Sequence, residues 1–281
     1  MHFMRQISPV LAFEIGRGKF IIEGEVCMPF CVIKSRTIKI ICAMAIVVIL
    51  LCVPMGGGSL AQVFFGYSAR KVPVYSVATE EKQVAISFDA AWGADKTEDI
   101  LALLKEYEVN ATFFLVGFWV DKFPEKVKAI DDAGVEIGTH SNTHPDMAKL
   151  DASAMRSELT TSIDKIKNIT GKEVTLFRPP FGSYNNTLIG VCEELNLIPI
   201  QWDVDSLDWK GLSAGDIAKR VVSRVKNGSI ILMHNNADNV LEGARLVLDQ
   251  LKMQGYKITS IGDLVLHDNY TIDRNGVQHA K

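Results

Sequence analysis

The 281-residue chain has no long basic run interleaved with aromatics, and its formal net charge is -3. The electrostatic footprint of a nucleic-acid binder is therefore missing, and nucleic acid is not an expected partner. Cysteine is scarce where a fold would use it: Cys27, Cys31, Cys42 and Cys52 fall in the first fifth of the chain, which leaves Cys192 alone in the remainder. A lone thiol builds no disulfide framework there, and no second cysteine or histidine pair lies near Cys27 and Cys31 at zinc-site spacing. These cysteines are read as incidental. The domain also lacks a G-x-S-x-G elbow, which leaves a serine-hydrolase site without support.

What is present begins with apolar content, 48% of residues, enough for the core of one α/β domain. Lys34, Arg36 and Lys39 precede an unbroken apolar run over 40–53, and Pro54, Gly56, Gly57 and Gly58 follow it. That is the order of an export signal, with Ser59, Leu60 and Ala61 supplying small residues at a cleavage site. Residues 34–61 are expected to be a signal peptide or a membrane-anchoring helix, and both outcomes place the remainder outside the cytoplasm. Residues 1–33 are then an N-terminal tail or a mis-assigned start, with Met28 as an alternative beginning. A linker is expected over 62–81, a single domain over 82–266 and a C-terminal tail over 267–281.

Within the domain, short β-rich runs alternate with longer amphipathic segments. Strands are predicted at 84–88, 111–115, 136–138, 176–178, 198–202, 230–233 and 257–260. Helices are predicted at 97–106, 124–133, 154–169, 187–194, 214–225 and 239–254, where apolar residues recur at three- and four-residue spacings. Strict alternation fits an open doubly wound sheet or a parallel (β/α) barrel. A nucleotide-binding sheet carries a glycine-rich loop after its first strand, whereas this chain reads Asp89-Ala90-Ala91-Trp92-Gly93 there, which favours the barrel.

The reactive residues cluster by position. Asp89, the pair His140 and His144, Arg178, Asp203 with Asp205, and His234 all follow predicted strands at their C-terminal ends. In a parallel α/β fold those ends line one mouth, so residues distant in sequence converge on one site. His140 and His144 are spaced so that both imidazoles can face one metal. Asp89 ends an apolar strand, where a carboxylate is costly unless used or paired. The prolines of Arg178-Pro179-Pro180-Phe181-Gly182 stiffen a turn whose Phe181 and Gly182 amides suit an oxyanion, with Arg178 anchoring a carboxylate. Carboxylates in Asp205-Ser206-Leu207-Asp208-Trp209 would keep His234 protonated as a general acid, and Trp209 offers an apolar face to a sugar or to the core.

Taken together and in order, FDAAWG, HSNTHP, RPPFG, DSLDW and ILMH resemble the motifs of the polysaccharide deacetylases with a NodB-homology domain, carbohydrate esterase family four. Within that family the chain is most similar to the sporulation-associated PdaB-type branch. The resemblance implies a distorted parallel (β/α) barrel that removes N-acetyl groups from a peptidoglycan or chitin-like polysaccharide with a divalent metal, usually zinc. It makes Asp89 the catalytic base, His140 and His144 the metal histidines, and Arg178 the residue orienting the base. It makes the Phe181 amide the oxyanion donor, Asp205 the carboxylate tuning the acid, Trp209 the pocket wall and His234 the general acid. One position departs: Ala90 stands where the family carries a second aspartate as the metal's carboxylate ligand. Two other readings follow, a glycan-binding scaffold with little turnover and an amidase for a small non-sugar amide. Nothing in the chain singles out a dimerisation helix.

Overall fold

The computed structural model describes residues 70–281, preceded by Arg36, Lys39, Ile40 and Met44. The expected N-terminal tail and nearly all of the expected signal or anchor segment thus lie outside the described residues. Among the described residues no helix is long and apolar enough to cross a membrane.

The strands are β1 (Ser76–Val77), β2 (Gln83–Ala90), β3 (Thr112–Leu115), β4 (Glu136–Thr139), β5 (Leu176–Phe177), β6 (Ile198–Pro199), β7 (Val204–Asp205), β8 (Ile230–His234), β9 (Lys257–Thr259), β10 (Tyr270–Ile272) and β11 (Val277–Ala280). The helices are α1 (Thr97–Glu106), α2 (Gly117–Lys122), α3 (Pro124–Asp132), α4 (Ala152–Thr170), α5 (Asn186–Glu194), α6 (Ala214–Val222), α7 (Val240–Met253) and α8 (Ile261–Leu264). The main sheet is parallel throughout, in the order β6-β5-β4-β3-β2-β8-β7, and β9 adds to the start of β2. It curls into the distorted (β/α) barrel that the resemblance implies.

Strand β2 is the centre of this sheet. Its run from Val84 to Ala90 is buried on both faces, which is why it reads as nearly continuous apolar sequence without strand-like alternation. Helices cover the outside through apolar stripes; on α7 these are Val240, Ala244, Val247, Leu248 and Leu251. Gly243 lets α7 approach α6, since a methyl group there would sit 2.9 Å from Ile217 Cγ2. Asp151, Asn185 and Ser213 accept backbone amides at the starts of α4, α5 and α6, fixing where each helix begins.

Three expectations are corrected. The C-terminal residues are a structured part of the domain: β10 and β11 form a hairpin, and β11 pairs in parallel with β1 from the expected linker. This small sheet persists because Val74 and Val77 bury against Leu264 and Val265, and because the fully buried Gln278 side chain bonds both the amide and the carbonyl of Leu266 at 2.7 Å. Helix α2 has no counterpart among the predicted elements because it continues the apolar run that begins in β3, with Gly117 alone breaking that run. The predicted strand 198–202 stops at Pro199 in the main sheet, since Gln201 donates its amide to Val74 (2.7 Å).

Gly228 locks β1 to this framework. It adopts φ +78°, accepts the Val77 amide at 2.9 Å, and would place an added Cβ 1.7 Å from the Val77 carbonyl oxygen. Gly228→Ala is therefore expected to cost about 1–3 kcal/mol, read as a lower midpoint in thermal unfolding; an unchanged midpoint would mean that this contact yields freely.

Candidate active site

The C-terminal ends of β2, β4, β5, β7 and β8 open into one cleft of about 850 Å³. Asp89, His140, His144, Phe181, Asp205, Trp209 and His234 line it, so the structure brings these predicted residues together. Arg178 lies behind the wall, with no exposed surface.

Arg178 Nη1 donates to Asp89 Oδ1 and to Ser87 Oγ, each at 2.8 Å, while Nη2 donates to the Gln201 carbonyl at 3.1 Å. The guanidinium plane lies over the Phe114 ring, 4.2 Å from its centroid. Burial is the largest influence on Asp89 and favours its neutral form, yet the influences led by the Arg178 charge and hydrogen bond outweigh it, so the carboxyl is held below its ordinary value and stays ionised.

The histidine pair is oriented by backbone. His140 Nδ1 faces the Arg178 carbonyl at 2.7 Å, and because a carbonyl only accepts, Nδ1 carries the proton. Nε2 is left bare toward Asp89 Oδ2, 3.5 Å away. His144 occupies a left-handed backbone conformation, φ +57°, with its amide donating to Ser141 Oγ at 3.0 Å. That turn sets the two imidazoles edge to face, ring centroids 4.8 Å apart. Burial lowers both pKa values, that of His144 to about 4, so both rings are neutral near pH 7.

His234 behaves in the opposite way. Burial alone would lower its pKa, but hydrogen bonding to Asp208 and the charges of Asp89, Asp208 and Asp205 raise it above the ordinary histidine value. Its hydrogen-bonded carboxylate partner is Asp208, while Asp205, expected to tune the acid, contributes by charge alone. Asp208 Oδ1 accepts from His234 Nδ1 and its Oδ2 accepts the His234 amide, both at 2.8 Å. Asp205 instead turns back to accept the Leu207 amide at 2.8 Å, shaping a turn in which Leu207 adopts φ +54°. Asp208, completely buried, is thus the one of the two DSLDW carboxylates that meets the imidazole.

The RPPFG turn is a 3-10 turn over Pro180–Gly182, with Phe181 at φ +59°. Gly182 spends its amide on the Pro179 carbonyl at 3.1 Å, so its expected oxyanion role is corrected. Phe181 is the first non-proline amide of this turn, a position without an intrahelical partner. The rings of Trp92, Phe181 and Trp209 are all more than half exposed around the cleft. Trp92, together with Asn235 and Asn236 directly after His234, also lines the cleft and carried no functional expectation; only their place after two strand ends marked them.

The metal ligands can be tested on this geometry. Two neutral imidazoles with ordered tautomers suit a divalent cation. The third donor is lacking: Ala90 is fully buried in the apolar core, and Asp89 is engaged by Arg178. Among the described residues no group of three His, Cys, Asp or Glu side chains is placed to hold a metal ion. The donors do not fit the three-protein-ligand arrangement of a catalytic zinc centre.

Comparison with known proteins identifies this architecture. Residues 76–200 match the Polysaccharide deacetylase family. The chain is 32% identical to the peptidoglycan-N-acetylglucosamine deacetylase of Bacillus cereus over 201 residues, 70% of this chain and 73% of that protein. It is 33% identical to the uncharacterized protein YlxY of Bacillus subtilis over 70% of this chain and only 62% of the relative. Among solved structures, a CE4 family pseudoenzyme from Bacillus anthracis superposes with a TM-score of 0.68 at 33% identity, covering 75% of this chain and 73% of that one. A mutant of it, described as having restored enzymatic activity, superposes at 0.67 with 35% identity over 70% and 71% of the two chains. The chain belongs to the polysaccharide deacetylase family.

Two measurements probe the cleft. Asp208→Asn removes the main influence raising the His234 pKa, so that value is expected to fall, followed as the imidazole chemical shift in an NMR titration. In the native chain the His234–Asp208 contribution to stability is complete below the ordinary histidine pKa and fades as pH rises through the raised folded-state value. The variant loses that dependence; an unmoved titration would show that Asp208 does not govern His234. Arg178→Ala strands Asp89 as an unpaired buried charge and is expected to cost about 3–5 kcal/mol in denaturant unfolding.

Proposed function

We propose that the chain binds N-acetylated cell-wall glycan, with peptidoglycan the favoured polymer, and hydrolyses its acetamide groups. The observation that carries this reading is a matched acid and base. Asp89 and His234 are register partners on adjacent strands β2 and β8, and their pKa values are pushed in opposite directions, Asp89 toward the carboxylate and His234 toward the imidazolium. Asp89 takes a proton from the attacking water, whose oxygen bonds to the acetamide carbon. The developing oxyanion accepts from the Phe181 amide. His234 gives its proton to the departing nitrogen as the C–N bond breaks, releasing acetate and a free sugar amine. The relatives named for peptidoglycan support the substrate class, and action on such a polymer places the chain outside the cytoplasm. Resemblance to the PdaB-type branch extends the setting to sporulation.

A divalent cation held by His140 and His144 would supply carbonyl polarisation. Here only His140 and His144 are free to hold one. A second reading, glycan binding with little turnover, is favoured by the buried methyl of Ala90 where a ligand carboxylate is expected.

Acetate release from peptidoglycan by the zinc-supplemented full chain separates the two. Slow release is expected, with Asp89→Asn lowering it by about 10²–10⁴-fold and Ala90→Asp raising both zinc content by elemental analysis and rate. Glycan binding without acetate from either the native chain or Ala90→Asp would establish the second reading.

A further inference from the structure

The cleft has a wall that the acid–base chemistry does not use. Trp92 follows β2 directly and is 66% exposed, although an indole is among the costliest side chains to leave in water. Its ring is held edge-on to His144, centroids 5.0 Å apart, and tilted against Phe118 at 6.3 Å. Neither contact covers its free face.

Asn236 approaches the same loop from β8. Gly93 sits at φ +70°, and an added Cβ there would lie 2.2 Å from Asn236 Nδ2, so this glycine is what admits the amide. Asn236 Oδ1 is buried and takes no hydrogen bond among the described residues, an omission that costs about 1–3 kcal/mol. Asn236 lines the cleft, so a hydroxyl donor that enters there can satisfy this oxygen. The surrounding backbone is pinned. Asn235 bonds the Gly93 carbonyl at 3.1 Å, Trp119 Nε1 bonds the same carbonyl at 2.7 Å, and Lys96 Nζ bonds the carbonyls of Ala237 and Asp238 at 2.6 and 2.8 Å.

An exposed indole face beside an unsatisfied planar amide, both on rigid loops, matches a pyranose ring, which offers an apolar C–H face and equatorial hydroxyls. We propose that Trp92 and Asn236 form a sugar-binding subsite, adjoining the residue whose acetamide reacts and receiving its neighbour in the glycan chain. This rests on the glycan reading above and adds where the chain's next sugar is held. Trp92 and Asn236 are positioning residues for the polymer and take no part in proton transfer.

The test is isothermal titration of the full chain with the N-acetylglucosamine tetramer and monomer. The native chain is expected to bind the tetramer more tightly than the monomer. Trp92→Ala and Asn236→Ala should each weaken the tetramer by roughly tenfold while leaving the monomer unchanged, and Trp92→Phe should recover most of the loss. Unchanged thermal midpoints verify that the variants fold, and Asn236→Gln replaces Asn236→Ala if the latter does not. Native tetramer binding that both single variants preserve overturns the subsite and leaves the glycan reading intact. Absence of native binding to either sugar overturns both.

Discussion

Arg178 is a fully buried guanidinium with a carboxylate, a hydroxyl and a carbonyl on its two terminal nitrogens and an aromatic ring beneath its plane. Among the described residues its Nε finds no partner, so the site accepts an unsatisfied donor to keep this cation in place. Taking Asp89 and Arg178 from water is expensive, and their mutual attraction with good geometry only offsets that cost. The return is organisation. The same residue uses its side chain to keep Asp89 ionised and its carbonyl to set the His140 tautomer. Strands β2, β4 and β5 are thereby keyed to one another at the cleft.

From that anchor the electrostatics of the cleft follow. Asp89 keeps its charge, and that charge helps to raise the His234 pKa from the neighbouring strand. Asp208 does the rest, reaching His234 through both ring and backbone, which fixes the imidazole's orientation as well as its charge. The histidine pair lies on the opposite side of Asp89, where burial without a second carboxylate keeps both rings neutral. One aspartate thus separates an imidazole pushed toward protonation from two pushed away from it.

Much of this was legible in the sequence because parallel α/β architecture exposes it: a polar residue closing an apolar strand, as Asp89 and His234 do, is conspicuous in the pattern. Details set by backbone direction were not. Asp205 and Asp208 share one short string, and only the left-handed turn at Leu207 decides which carboxylate reaches His234. Gly182 shares a rigid turn with Phe181, but that turn consumes the Gly182 amide, which residue spacing does not report. The pairing of Gly93 with Asn236 joins loops distant in sequence that follow the adjacent strands β2 and β8, a contact that no local spacing reports. The β1–β11 sheet is illegible for the same reason, since each strand is too short to show a period.

Ala90 draws these threads together. It is the last residue of β2, fully buried within the apolar core, one position beyond Asp89. A carboxylate at this place would be removed from water and would need a cation to compensate it. The methyl group carries no such debt, so the strand end gains apolar packing by the same change that takes away a metal donor. What the cleft retains is the Arg178-held aspartate, the raised His234 and a rim of exposed aromatic rings. On the reading proposed for this chain, recognition of the glycan rests on that rim and proton transfer on the Asp89–His234 pair. The strength of metal binding then determines how far recognition is converted into hydrolysis, because carbonyl polarisation is the one contribution for which the protein's own side chains are short of a donor.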